Sequence, residues 1–413
     1  MQGIWTHLGR KVVGNLTTVS TSVRDFTVTV LGFHFIEKVL ASGSNEDGLP
    51  IFLRWEQLAG YARAAINGDR TFRGTERVHR NIEESGVVTL SADRAYQILG
   101  SQKIYGLWGL YTVPSRSSGL LYGDPARPTP AAREHAEDTW WPAISKAGMG
   151  DGRRIVAILR EPRARVDLRG RDADVVATVA RMIRRRLNEN EGRFYRFHLA
   201  EGGPSDSTSG AQKILLGILD RHPLPESESL SPTLVSAWAK EAARDEEAGG
   251  HLATSLERIR VTESLLAPSG ALFGWLLSQQ GRTLDALADE LRRQWGPRVD
   301  RVESHRLIDL KTDFLGATGS EEAASRWLRI ADRFAAGEYQ DLLGLLLEQN
   351  RWVMSVRNGS SPWAEVRDGR LHVRFRDETG RLPERGELRT LWRYPYFIDS
   401  LRIVAATLRE SST

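Results

Sequence analysis

Apolar positions along most of this chain recur at intervals of three and four, the spacing that lays one stripe along an α-helix. The segment 23–41 (VRDFTVTVLGFHFIEKVLA) is apolar nearly all round, which predicts a helix buried on every side. Its β-branched residues leave the first turns open to a strand as well. Pro50 opens a second helix that places Phe52, Trp55, Leu58, Ala59 and Ala62 on one face and stops at Asn67-Gly68. A third helix is expected over 74–85, followed by a short strand at 86–91 (GVVTLS). Ser91 reads as the N-cap of a helix over 92–99. The run 102–113 sets Ile104, Leu107, Trp108 and Tyr111 at helical spacing until Pro114 interrupts it. Thr129 then caps a helix over 130–145 with Pro130 at its first position.

Beyond 150 the pattern changes. IVAIL at 155–159 predicts a strand, and 174–190 predicts an amphipathic helix striped by Val175, Val176, Val179, Met182, Ile183 and Leu187. The stretch 201–210 (EGGPSDSTSG) reads as a loop, and 222–232, rich in Pro and Ser, as a linker. The remainder is helical except for 363–378, where Asp368-Gly369 between two alternating runs signals a β-hairpin. A last helix is expected over 396–408. At 413 residues the chain suits two or three domains of about 150 residues each. The pattern divides into a helical region 1–150, a basic middle region 151–232 and a helical region 233–413. The expected class is therefore a mainly α, multi-domain helical protein with a small C-terminal hairpin.

Composition narrows the chemistry. There is no cysteine, which removes disulfides, iron–sulfur clusters, thiolate zinc sites and thiol nucleophiles together. Nowhere do about 18 apolar residues run uninterrupted, so no membrane span is expected, and cytoplasmic residence is the default. Charge is uneven: residues 151–200 hold 13 basic and 7 acidic side chains, whereas 1–150 hold 16 and 14. Fifty of the 57 basic residues are arginine, the side chain suited to bidentate phosphate contacts, although a chain-wide bias points to no one site.

Catalytic templates find little to match. None of the seven lysines follows a glycine, which excludes the usual phosphate-cradling loop, and neither G-x-G-x-x-G nor G-x-S-x-G occurs. The nine histidines never lie within five residues of one another, so no local metal motif exists; neither metal nor cofactor is expected. One nuclease-like group remains: Asp300, Glu303, Asp309 and Lys311. Two carboxylates could hold Mg²⁺ while the lysine stabilises developing charge. That chemistry needs Asp309 and Lys311 side by side on a strand, whereas Leu307, Leu310 and Phe314 have the spacing of a helix, on which the pair diverge by some 200°.

The basic helix predicted over 174–190 carries Arg181, Arg184, Arg185 and Arg186 in its C-terminal half. Helix-dipole stabilisation alone favours that arrangement. As an electrostatic footprint for a polyanion it is reinforced by Arg160, Arg163, Arg165, Arg169 and Arg171. The segment 91–137 orders helix, helix, short strand, tight turn and helix, and its closing run SSGLLYGDPARPTPAAREHAE resembles the second half of many bacterial winged helices. In those a "GLL" strand leads through a wing turn into "LTPxxRE"; here Pro128 stands where the family has an apolar residue. The resemblance implies a winged-helix-like N-terminal part, with Gln102, Lys103, Ser115, Arg116, Ser117 and Arg127 flanking the recognition helix and wing and reaching phosphate. Large helical chains with such an N-terminal part resemble accessory subunits of bacterial restriction and anti-phage systems. The expectation is a non-enzymatic DNA-binding or scaffolding subunit that works with other protein subunits. The alternatives are a metal-dependent nuclease and a purely protein-binding adaptor that uses Trp140, Trp141, Trp238, Trp275, Trp295 and Trp392.

Overall fold

The computed structural model describes residues 1–140, 151–225, 228–244, 248–357, 359–377 and 379–410. The protein is mainly helical, with three small two-stranded antiparallel sheets among the described residues. No helix among them is long and apolar enough to cross a membrane. The chain forms two compact units. The N-terminal unit comprises Val13–Pro223 and Asp399–Thr413, and the C-terminal unit comprises Met1–Val12 and Leu224–Ile398. The chain thus passes between them near the Pro- and Ser-rich stretch, and the described residues on both sides of 141–150 belong to the N-terminal unit.

In chain order the elements up to residue 223 are α1 (Gln2–Gly9), α2 (Val23–Ala41), α3 (Gly48–Ala65), α4 (Thr75–Glu84), β1 (Val87–Ser91), α5 (Gln102–Tyr105), α6 (Leu107–Ser117), β2 (Leu121–Tyr122), β3 (Arg127–Pro128), α7 (Pro130–Thr139), α8 (Asp151–Arg160), β4 (Arg163–Asp167), α9 (Ala173–Met182), α10 (Glu189–Tyr195) and α11 (Ala211–Arg221). The helix expected over 130–145 is α7, which ends at Thr139; positions 141–145 lie outside the described residues. After 223 come α12 (Pro232–Ala242), α13 (Ala248–Leu276), α14 (Leu284–Trp295), α15 (Ser304–Leu307), α16 (Lys311–Thr318), α17 (Glu321–Ala336), α18 (Tyr339–Val356), β5 (Ala364–Arg367), β6 (Arg370–Val373) and α19 (Ile398–Glu410).

Helices α2 and α3 form the core of the N-terminal unit, and both are buried over most of their length. They cross closely at Gly32, where a β-carbon would stand 2.6 Å from a Phe52 ring atom and 2.7 Å from Trp55. The Trp55 indole N–H donates to the Val28 carbonyl at 2.8 Å. Burial on all sides traps charged residues on both helices, and Arg54 and Arg63 are satisfied from other segments. Arg54, fully buried, donates from Nε to the Leu159 carbonyl at 2.9 Å and pairs with Glu46. Arg63 bridges Asp25 at 2.6 Å and Asp69 at 2.7 Å. In the C-terminal unit the long helix α13 packs against α12, and α14, α17 and α18 enclose Trp295, Trp327, Phe334 and Tyr339.

Four local expectations are corrected. IVAIL is not a strand but the apolar stripe of α8, because Ile155 and Leu159, four apart, both point inward. The strand is the next segment, β4, whose alternation turns Ala164 and Val166 inward and Arg163 and Arg165 outward; it pairs antiparallel with β1, Thr89 opposite Arg165. Ser91 is not a helix cap, since it ends β1 and its backbone is held on both sides by the Gln57 amide at 2.8 and 2.9 Å; only a short 3₁₀ turn, Arg94–Tyr96, follows. The helix expected over 102–113 breaks at Gly106, because buried Glu56 accepts the Leu107 N–H at 2.7 Å and starts α6 there. That helix then continues through Pro114 to Ser117. Finally, the amphipathic helix over 174–190 ends at Met182, and a capping box between Asn188 and Glu191 starts α10. The hairpin β5–β6 turns at Asp368-Gly369 as its dipeptide predicts.

Gly32→Ala tests the helix crossing. Alanine favours a helix by about 1 kcal/mol over glycine, but the added methyl collides with two packed rings, and overpacking costs about 1–3 kcal/mol. A net loss of up to about 2 kcal/mol is expected in urea unfolding of the full chain; raised stability would show that the crossing is not tight.

Candidate functional site

The break between α9 and α10 puts Arg184, Arg185 and Arg186 on a connecting loop rather than on a helix face. All three are exposed, and no carboxylate lies within ion-pair distance of them among the described residues. The loop is anchored from below: Arg24 on α2 donates from Nη2 to the Arg186 carbonyl at 3.0 Å while pairing with buried Glu191. Glu191 also accepts from the Trp140 indole at 3.2 Å. Arg181, at the end of α9, is exposed and donates to Thr178 at 2.7 Å. The remaining arginines of this stretch lie toward the other end of α9, about 15 Å away for a ten-residue helix. There Arg165 is exposed on the outer face of β4, and Arg171 pairs with Asp172 at 3.2 Å. Arg163 pairs with Asp93 at 2.6 Å.

The six residues assigned to phosphate contact by the winged-helix resemblance separate into two groups. Lys103, Arg116, Ser117 and Arg127 are exposed, with Arg116 donating to the Gly123 carbonyl at 2.8 Å. Gln102 and Ser115 are fully buried. Gln102 is spent on the Leu53 carbonyl and Glu56, at 3.0 and 2.8 Å, and so joins α5 to α3 instead of facing solvent. Around Lys103 and on α6 three apolar side chains are also exposed: Ile104, Tyr105 and Val113 at 58%, 60% and 61%. The tryptophans named for an adaptor surface are mostly internal. Trp140, Trp238, Trp275 and Trp295 are buried, Trp392 is half-buried, and Trp141 lies outside the described residues.

In the C-terminal unit the nuclease-like residues are not assembled. Asp300 pairs with Arg298 at 2.6 Å, Glu303 with Arg260 at 2.7 Å and Arg306 at 3.0 Å, and Lys311 with Glu321. Asp309 is exposed on a 3₁₀ turn. No group of three or more His, Asp or Glu among the described residues is placed to hold a metal ion. Asp300 and Glu303 instead share a cavity of about 950 Å³ with five arginines: Arg260, Arg298, Arg301, Arg385 and Arg389. Sequence reading missed it because its arginines come from α13, from the loop after α14 and from the turn at 385–389, with no common motif.

Half-buried Arg301 lines this cavity, and buried Glu263 lies close to it. Arg301 donates from Nη1 to the Leu388 carbonyl, and its Nη2 is buried with no hydrogen-bond partner. Burial draws its guanidinium down to about 10, and nearby Glu263 opposes the fall. Glu263 accepts the backbone N–H groups of Arg393 and Tyr394 at 2.6 and 3.3 Å and the Tyr396 hydroxyl at 2.7 Å. Burial pushes its carboxyl up to about 7 despite those donors and Arg301. Elsewhere, burial lowers His135 to about 4, and its ring stacks on Phe194 with centroids 3.9 Å apart.

Comparison with models of known protein families, with curated proteins and with solved structures finds no match for this chain.

The raised pKa of Glu263 has a definite sign. Its contribution to stability is complete below its ordinary value of 4.5 and is lost as pH climbs through about 7, a span worth about 3 kcal/mol. Glu263→Gln keeps an oxygen for the two backbone donors and an N–H for Tyr396. The fall in urea midpoint between pH 5 and pH 8 should shrink in this variant. An identical pH slope in both proteins would remove Glu263 as its source.

Proposed function

We propose that this chain is a non-enzymatic DNA-binding or scaffolding subunit of a nucleoprotein complex and grips its polyanion through the N-terminal unit. The observation that carries the reading is the loop Arg184–Arg186, three adjacent exposed guanidiniums without carboxylate partners among the described residues. Many arginines elsewhere are spent on ion pairs, as in the pairs of Arg54, Arg63 and Arg260. A guanidinium free of such a partner can neutralise a phosphate and release its counterion without first breaking an internal bond. Arg165, Lys103, Arg116 and Arg127 extend the positive surface of the same unit. Arginine contacts of this kind position a backbone and carry no sequence preference of their own.

The order α6, β2, β3 supports a winged-helix-like reading of residues 107–128, with the turn between the two strands as the wing. β1 departs from that pattern, since it pairs with β4 and not with the hairpin. The outward side of α6 suits protein better than a DNA groove, because Val113 on it is exposed and apolar and the exposed Ile104 and Tyr105 precede it on α5. The reading therefore assigns DNA to the arginine loop and a protein partner to α5–α6, in keeping with the resemblance to accessory subunits of restriction and anti-phage systems and with residence in the cytoplasm.

Fluorescence anisotropy with a labelled duplex of about 20 base pairs tests the first assignment. Affinity should fall steeply between about 50 and 200 mM salt. The combined change Arg184→Glu, Arg185→Glu and Arg186→Glu should weaken binding at least tenfold, and undiminished affinity would sink the assignment. For the second, Ile104→Ser with Tyr105→Ser and Val113→Ser should abolish recovery of a co-expressed partner subunit while leaving duplex affinity intact. Equal recovery of that subunit would rule this face out.

A further inference from the structure

The arginine-lined cavity of the C-terminal unit has no part in the reading above, yet its charge is unbalanced. Five guanidiniums face two carboxylates across a volume of about 950 Å³, at the upper end of the about 300–1,000 Å³ typical of small-molecule sites. The partners within it are unequal. Arg260 is committed, held by Glu257 at 2.8 Å and Glu303 at 2.7 Å. Arg298 and Arg385 both lean on Asp300, at 2.6 and 3.9 Å, and all three of these side chains are more than half exposed. Exposed pairs of this kind are worth little, so both arginines can turn to another anion at small cost. Arg389 is exposed and has no carboxylate partner among the described residues. Arg301 is the deepest; it has only a backbone carbonyl at Nη1 and nothing at Nη2.

A cation drawn into the protein without a matching anion carries a desolvation cost that a ligand of opposite charge offsets. Guanidinium forks match phosphate oxygens in geometry, and several forks around one cavity favour a ligand with more than one phosphate over a single carboxylate. We propose that this cavity binds a small molecule bearing at least two linked phosphate groups, held by Arg298, Arg301, Arg385 and Arg389. The apolar wall formed by Val299 and Leu388 leaves room for the organic part of such a ligand. Arg260 and Glu303 brace the site and do not contact the ligand. The site would make the C-terminal unit responsive to a phosphorylated metabolite, independently of any polyanion bound through Arg184–Arg186.

Isothermal titration calorimetry of the full chain with inorganic pyrophosphate tests the proposal, with inorganic phosphate and a five-nucleotide single strand as separate arms. One saturable site for pyrophosphate is expected, with phosphate at least tenfold weaker. Arg389→Glu, an exposed change that leaves the core intact, should weaken pyrophosphate at least tenfold, and so should Arg298→Glu. Reversing Arg184, Arg185 and Arg186 should leave that affinity unaltered. Absence of saturable binding overturns the proposal, as does affinity indifferent to both cavity variants. Tighter binding of the oligonucleotide than of pyrophosphate, lost in Arg389→Glu, would also overturn it, because the cavity would then hold a strand.

Discussion

Two helices buried on nearly all sides must supply their ionisable groups with hydrogen-bond partners, and the N-terminal unit is arranged around that constraint. Along α2 and α3 lie Arg24, Asp25, Arg54, Glu56 and Arg63, all buried. A buried ion without its partner costs several kcal/mol, so each of these residues holds some other segment in place. Arg54 holds the C-terminal end of α8 through the Leu159 carbonyl, and Glu56 starts α6 by accepting the Leu107 N–H. Arg63 ties Asp25 to the loop at Asp69. Removing one member leaves another stranded, so these contacts act less as added stability than as a specification of which segment sits where.

The candidate surface follows from the same constraint. Arg24 reaches from α2 to Glu191 and, with its second nitrogen, to the carbonyl of Arg186. Glu191 in turn completes the capping box that opens α10. One buried pair therefore ends the preceding connection, starts the next helix and holds the arginine loop by its backbone, leaving the three guanidiniums outside. A site held by main-chain contacts can keep its side chains uncommitted, which is what a phosphate-gripping surface needs. In the C-terminal unit the relation is reversed. Glu263 is drawn into hydrogen bonds with the segment 393–396, and Arg301 beside it has no direct partner for Nη2, so the charge that is balanced inside the N-terminal unit is left unbalanced at a cavity wall.

Much of the helical layout was legible because it depends on local periodicity. The helices at 23–41 and 51–66, the strand at 86–91 and the hairpin turning at Asp368-Gly369 all lie where their patterns place them. Two of the misreadings share a cause: an apolar run can satisfy more than one element. IVAIL fits a strand and a helix equally until Arg54 meets its last carbonyl. The stripe from Val175 to Leu187 hides the capping signal Asn188-x-x-Glu191, which was present in the sequence but was outweighed by the longer periodic run. The winged-helix resemblance puts Gln102 and Ser115 on the surface, yet Gln102 is needed inside, where it satisfies Glu56 and the Leu53 carbonyl.

Local order along the chain was enough to set the predominance of helix, the turn chemistry of the hairpin, the surplus of arginine between 151 and 200 and the exclusion of thiol chemistry. Each depends on residue type and on neighbours a few positions away. Which arginines are free and which are spent could be decided only once the chain had folded, because an ion pair such as Arg24–Glu191 or Arg260–Glu303 joins residues far apart in sequence. The cavity belongs to the same class. Its five guanidiniums converge through the packing of three separate segments, and no spacing in the sequence records that meeting.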